Sequence, residues 1–197
     1  MKNNLFHHFF DNSTQISCNF DSDWCNFTPN VYFTRYTGVS PSITSGPTED
    51  RTGDGFYALC NGKLLLDPNE KCLFYQNVSL LVDTDLKFWY HMSGVHIGTL
   101  EVILNETNVV WSLTGKQKNE WIQAEIILPA GDYSLAFSAN RSIYGRSSCD
   151  IALDDLNLKG QPYIKGIFYI DTMICQYYIY LGKLVKNQVN RHYFNQF

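Results

Sequence analysis

The sequence predicts an all-β domain of two stacked antiparallel sheets, and three observations carry that expectation. The run Phe88-Trp89-Tyr90-His91-Met92 puts large side chains on both faces of an extended strand, as in the covered middle of a sheet sandwich. Short alternating runs recur at even spacing between about Ile16 and Gly160, separated by Gly, Pro, Asn and Asp. Aromatic residues make up 15% of the 197 positions, which favours strands, and no helical period of useful length appears.

Residues 1–15 read as a polar, disordered leader. Met1 to Phe10 has no apolar run of secretory type, because Asn3, Asn4, His7 and His8 interrupt it. The chain is therefore expected to be a fragment lacking its signal peptide. The body, residues 16–161, then supplies strands in order. Leu100 to Leu104 alternates with Glu101 outward. Between Trp121 and Leu128, Ile122, Ala124, Ile126 and Leu128 share one face. Pro129-Ala130-Gly131-Asp132 is a turn, after which Tyr133, Leu135, Phe137 and Ala139 fall together. Ile151 to Leu158 is the last strand the pattern supports. Residues 162–197 form an uncertain tail. Its segment 163–182 is rich in Ile and Tyr, yet Lys165, Asp171, Gln176 and two glycines break the apolar run of about 20 residues that a spanning helix needs. Any contact of that segment with a membrane is expected to be weak.

A net charge of −4 without a basic stripe argues against nucleic-acid binding. Six cysteines, at 18, 25, 60, 72, 149 and 175, form no Cys-x-x-Cys pair and no zinc spacing with histidine. Together with five Asn-x-Ser/Thr sequons, at Asn12, Asn26, Asn77, Asn105 and Asn140, they point to an extracellular or cell-surface glycoprotein with disulfide bonds.

Several motifs stand in one order. Cys18-Asn19-Phe20-Asp21 is followed by Trp24-Cys25-Asn26-Phe27, then by the stretch Ser45 to Tyr57 with Gly46-Pro47, Asp50-Arg51-Thr52 and Gly55-Phe56-Tyr57. Phe88 to Gly94 and Gly98 to Val102 come next, then Trp111-x-x-x-Gly115, Trp121-x-x-Ala124 and Asp150 to Leu156. In this order they resemble the MAM domain, the module of meprins, neuropilin-type receptors and receptor tyrosine phosphatases of the mu type. The resemblance covers about residues 18–160 and implies a jelly-roll β-sandwich that binds proteins in adhesion or in receptor and protease assembly, possible homophilic contacts included.

Two departures from the family pattern matter. The cysteine that usually precedes the Phe-Trp-Tyr strand is replaced by Asp85, and its partner after the last strand is absent from 160–162. In exchange the chain has Cys60 and Cys72 around a short connection. The expected bridges are Cys18–Cys25 and Cys60–Cys72, each contributing roughly 2–3 kcal/mol on a chain-entropy model. Cys149 either pairs with Cys175 or stays free. The acidic residues within the family motifs, Asp21, Asp50, Asp54, Asp154 and Asp155, are candidate ligands of a structural calcium ion, which takes six to eight oxygens. The plainer alternative makes Asp54 a turn residue and Asp154 or Asp155 an acceptor for loop amides.

Catalysis is not expected, because no nucleophile elbow, phosphate loop or His-Glu-x-x-His helix occurs. His91 alternates with Trp89 and Ser93 and reads as a packed histidine. A carbohydrate-binding jelly roll is the alternative function, with Trp111 and Trp121 as a sugar-stacking platform unless both pack in the core. Occupied sequons would exclude close docking on the faces that carry Asn26, Asn77, Asn105 and Asn140.

Overall fold

The structure is a computed structural model that describes residues 13–42, 44–67 and 69–159, with the backbone of the strands Tyr163–Ile170 and Met173–Tyr180. Asn12, most of the expected leader and the Cys175 side chain lie outside the described residues. Thirteen strands run from β1 to β13 and no described residue is helical: β1 (Ile16–Cys18), β2 (Thr28–Pro29), β3 (Phe33–Tyr36), β4 (Tyr57–Cys60), β5 (Cys72–Leu80), β6 (Thr84–His91), β7 (Ile97–Leu104), β8 (Asn108–Thr114), β9 (Ile122–Leu128), β10 (Gly131–Arg141), β11 (Ile151–Lys159), β12 (Tyr163–Ile170) and β13 (Met173–Tyr180).

Eleven of these strands build two antiparallel sheets. The first has the order β3-β4-β11-β6-β9, with β1 also on β11, and the second has the order β2-β5-β10-β7-β8. One strand serves two neighbours in succession along the same edge: β11 pairs with β4 through Ile151 to Leu153 and with β1 through Leu156 to Leu158. Between these halves its register against β6 shifts from Asp154 to Asn157, and Asp155 takes a φ of 45°. Such a bulge turns side chains out of strict alternation.

Alternation decides the core. Leu86, Phe88 and Tyr90 of β6 face Leu135, Phe137 and Ala139 of β10, as the period-two pattern requires. Phe74 of β5 stands at the centre. Its ring meets Phe33 at 4.8 Å, Phe27 at 5.1 Å and Trp24 at 5.6 Å, and it stacks on Phe137 at 5.0 Å. Two disulfides close short loops at this core, Cys18–Cys25 and Cys60–Cys72. Among the described residues Cys149 is buried without a disulfide partner, and burial, then Asp150, pushes its thiol up to about 11.

The strand Phe88 to Met92 is not covered evenly on both faces. A second small cluster of Tyr57, Leu59 and Ala152, with Tyr36 and Trp121 against it, sits on the outer face of the first sheet. The connection between β3 and β4 roofs it. Trp121 Nε1 donates to Glu49 O at 3.2 Å, Tyr57 Oη donates to Gly38 O at 2.9 Å, and Ser42 N donates to Asp150 Oδ2 at 3.2 Å. Beyond this roof the face opens, and Trp89 is only half-buried.

Within the uncertain tail the backbone of two strands is described. β12 and β13 pair antiparallel from Tyr163 opposite Tyr180 to Ile170 opposite Met173. Ile and Tyr favour paired strands, which satisfy the backbone without a long apolar run. No helix among the described residues is long and apolar enough to cross a membrane.

Candidate functional site

The open half of the first sheet is a groove of about 770 Å³. Its walls include Asn19, Arg51, Lys87, Gln123 and Asn157, and Trp89 lies in it. The Arg51 guanidinium stands 5.2 Å from the Trp89 ring centroid and pairs with the Asp155 carboxylate, while Lys87 Nζ lies 3.0 Å from Glu125. Charges of both signs alternate across the groove, so it has no single-sign field.

An acidic site adjoins it. Asp50 is buried, and its carboxylate accepts from Thr52 Oγ1 at 2.5 Å, Gly53 N at 2.6 Å and Thr52 N at 3.1 Å. Burial raises its pKa, but these donors and the Gly55 amide outweigh burial and hold it below the ordinary value. Asp21 accepts from Phe56 N at 2.8 Å. Both carboxylates converge on Gly55, where a Cβ would collide with Asp21 Oδ1 and Asp50 Oδ2. A side chain at position 55 would push these two carboxylates away from the chain.

Asp154 is buried on the outer face of β11. Its oxygens accept from Arg51 N at 3.1 Å and Asp155 N at 2.7 Å. Burial, then the charges of Asp155 and Asp50, push it up to about 7 against the pull of those two amides. Arg51 is committed to Asp155, and Asp21, Asp50 and Asp154 take part in none of the described ion pairs.

The sequence profile described as "MAM domain, meprin/A5/mu" matches residues 18–162. This chain belongs to the MAM domain family. It is 30% identical over 157 residues to MAM domain-containing protein 2 of Mus musculus, covering 74% of this chain and 23% of that protein. It is 30% identical over 131 residues to Neuropilin-1a of Danio rerio, covering 60% of this chain and 14% of that protein. The chain thus spans less than a quarter of either relative. Among solved structures, the K3 cleaved adhesin domain of Lys-gingipain from Porphyromonas gingivalis aligns with a TM-score of 0.49 at 14% identity, over 75% of this chain and all of that one.

In this MAM domain the five carboxylates named from the sequence do not act alike. Asp21 and Asp50 meet at Gly55, Asp154 is buried nearby, Asp155 is paired with Arg51, and Asp54 is exposed in the loop. Among the described residues no three Asp, Glu, His or Cys side chains gather at metal-ligand spacing. A cation at Asp21 and Asp50 would therefore take its further oxygens from the backbone and solvent, and neither of these two carboxylates takes part in a described ion pair.

The two tryptophans named as a sugar platform lie apart in the MAM domain, Trp111 on β8 of the second sheet and Trp121 just before β9 of the first, and both are packed. Trp111 of β8 meets Phe88 at 5.2 Å and Tyr90 at 5.8 Å, and Trp121 meets Tyr57 at 5.9 Å and His91 at 5.8 Å. His91 itself is buried, and that burial lowers it to about 4, so it is neutral at pH 7.

The described sequons segregate. Asn77 points outward from β5, Asn105 sits in the β7–β8 turn, Asn26 lies in the loop leading to β2, and Asn140 lies on β10. All four belong to the second sheet or its loops. Asn26, Asn77 and Asn105 are exposed, while Asn140 is half-buried and accepts from Thr99 N at 2.6 Å.

Two residues at the ends of the sandwich escaped the sequence reading. Asp150 is fully buried, takes the Ser40 hydroxyl and the Ser42 amide, and so fastens the roofing loop. Arg141, 6% exposed, donates to the carbonyls of Leu65, Leu66, Ser142 and Gly145. Asp150 stands inside a family motif and was visible in principle. Arg141 carries no local signal, because its partners Leu65 and Leu66 are backbone carbonyls 76 and 75 residues away.

Proposed function

We propose that this chain is an extracellular recognition module of the adhesion type, without catalysis, whose protein-contact face is the outer face of the sheet β3-β4-β11-β6-β9. One observation carries the reading: every described sequon lies on the other sheet or in a loop leading to its strands, so glycans there leave this face open to a partner. The relatives support it, among them the MAM domain-containing glycosylphosphatidylinositol anchor protein 1 of Gallus gallus, 29% identical over 173 residues.

A glycan wedge tests it. Glu125→Asn with Ile127→Thr creates a sequon on the outward face of β9, where both side chains are exposed. A dimerised wild-type domain is expected to bind cells through trypsin-sensitive sites, and the wedge to reduce that binding at least tenfold (about 1.4 kcal/mol). Undiminished binding by a verified glycosylated variant would sink the assignment of this face. A second reading, saccharide binding, moves from Trp111 and Trp121 to the groove over Trp89. Sites removed by glycosidases but not by trypsin would favour it.

We propose further that Asp21 and Asp50, which converge at Gly55, hold a structural calcium ion. The ion would supply the positive charge that these carboxylates lack. Millimolar calcium is then expected to raise the melting temperature of EDTA-treated protein at neutral pH, by about 2.7 kcal/mol of stability when calcium reaches a hundredfold over its Kd. Asp21→Asn with Asp50→Asn removes the response, whereas a wild-type melting temperature indifferent to calcium refutes the site.

A further inference from the structure

A cavity of about 340 Å³ lies at the edge of β5, at the low end of the range of about 300–1,000 Å³ for small-molecule sites. It arises from a break in strand pairing. β2 pairs with β5 only at Tyr75 and Phe74. The chain next returns to this edge where Thr14 N donates to Ser79 O at 2.7 Å and Ser79 N donates to Thr14 Oγ1 at 2.8 Å. Asn77 stands in the gap, and among the described strands only β10 pairs with it. Two sequon asparagines, Asn26 and Asn77, line the cavity together with Gln15, Thr28 and Tyr75. None of the described residues that line it is charged.

Tyr75 and Asn77 both point outward from β5, two positions and about 6.5 Å apart on one face. The Tyr75 ring is 43% exposed. The row across the sheet through Tyr75 runs Thr28, Tyr75, Ala136 and Ile103, and the next row places Ser134 beside Asn77. Ala136 and Ser134 are small, so neither raises a bulky side chain over the pair. An open aromatic ring thus lies beside a sequon on the same strand.

Attachment names the occupant. In N-glycosylation the Asn77 amide nitrogen displaces a lipid-linked pyrophosphate from C1 of N-acetylglucosamine and loses one proton, which tethers the first sugar at this position. A pyranose face presents C–H bonds whose partial positive charge meets the negative face of a phenol ring. Its hydroxyl and acetamido groups need polar partners, and Gln15 and Thr28 offer them in the cavity. The tether raises the local sugar concentration, so a contact too weak to hold a free sugar suffices here. Asn26 borders the same cavity, but the aromatic residues beside it, Trp24 and Phe27, are packed against Phe74.

We propose that the N-glycan at Asn77 is part of the folded structure, its first N-acetylglucosamine stacking on the Tyr75 ring at the open edge of β5. The proposal goes beyond the protein-contact reading, in which glycans act only by excluding a partner.

The full chain, secreted from glycosylating cells and trimmed by endoglycosidase to one N-acetylglucosamine per site, tests it. Peptide mass spectrometry is expected to find Asn77 occupied, and an unoccupied Asn77 overturns the proposal. In urea unfolding the folding constant of the wild type is expected to exceed that of Asn77→Gln about fivefold (about 1 kcal/mol). On a Tyr75→Ser background the same comparison should give less than about twofold, because the cycle isolates the ring–sugar contact. A gain that persists without the ring overturns the proposal, since the sugar would then act through the unfolded chain. So does a Tyr75-dependent gain that is lost in Asn26→Asp and kept in Asn77→Gln. Nuclear magnetic resonance of the trimmed wild type needs no variant. The acetyl methyl protons of the Asn77 sugar should move upfield over the ring, and an unshifted methyl signal likewise overturns the proposal. These readouts report unfolding and a local contact, whereas the wedge on β9 reports binding, so the two readings fail separately.

Discussion

Phe74→Ala is expected to destabilise the domain by about 3–5 kcal/mol, the range for deleting a buried phenyl ring. The size follows from position. Phe74 is fully buried, and its ring touches residues from β3, β10 and the loop after β1 at once. Truncation leaves a cavity that both sheets line, and neither sheet can close it without moving against the other. Phe56 is the control. It is half-buried under Arg35, whose guanidinium lies 4.6 Å from its ring, and Phe56→Ala is expected to cost about 1 kcal/mol. Urea denaturation of both variants under non-reducing conditions decides. A loss below about 1 kcal/mol at Phe74 would mean that the two sheets do not share this core.

In calcium-free protein, Asp154 and His91 are expected to give opposite and nearly cancelling pH dependences. Asp154 is raised to about 7 in the fold, above its ordinary value of 3.8. Its ionised form is therefore disfavoured: stability is full below about pH 4 and falls as pH rises to 7, by about 4 kcal/mol. His91 is lowered from 6.5 to about 4. Its contribution is full above 6.5 and falls as pH drops toward 4, because the unfolded chain takes up the proton first, by about 3 kcal/mol. Asp50, held below its ordinary value, adds to the loss at the acid end. In EDTA the wild-type stability should change little between pH 7 and pH 4. Asp154→Asn should instead lose stability on acidification, and His91→Gln should gain it. Urea midpoints across that range check the pair, and parallel profiles in the two variants would refute both assignments. With calcium present, the neutral-pH penalty at Asp154 should shrink, since a bound cation favours the ionised form.

Strand content was legible because a period of two is a local property. Leu135, Phe137 and Ala139 face inward because each is two residues from the next, and no knowledge of β5 or β7 is needed. The short connection between Cys60 and Cys72 was equally local. The acidic site was half legible. Asp21 and Asp50 stand in family motifs, but which carboxylates meet depends on Gly55 and on the bulge at Asp155. Trp111, Trp121 and Trp89 show the failure most clearly. The first two looked like a surface pair and are packed, whereas Trp89, within the run taken as covered on both sides, opens into the groove.

The amino-acid sequence by itself determined the sandwich class, the family, and the alternation that sorts each strand into an inner and an outer face. Those properties arise from backbone geometry and from side chains a few positions apart. Tertiary structure alone decided which outer face is roofed, where the sequons gather, and that Arg141 ties the β4–β5 loop to the β10–β11 loop. The reason is distance along the chain: Arg141 and Leu65 are 76 residues apart, as Asp150 and Ser42 are 108. Contacts of that range form only after the sheets have stacked, and no local periodicity encodes them.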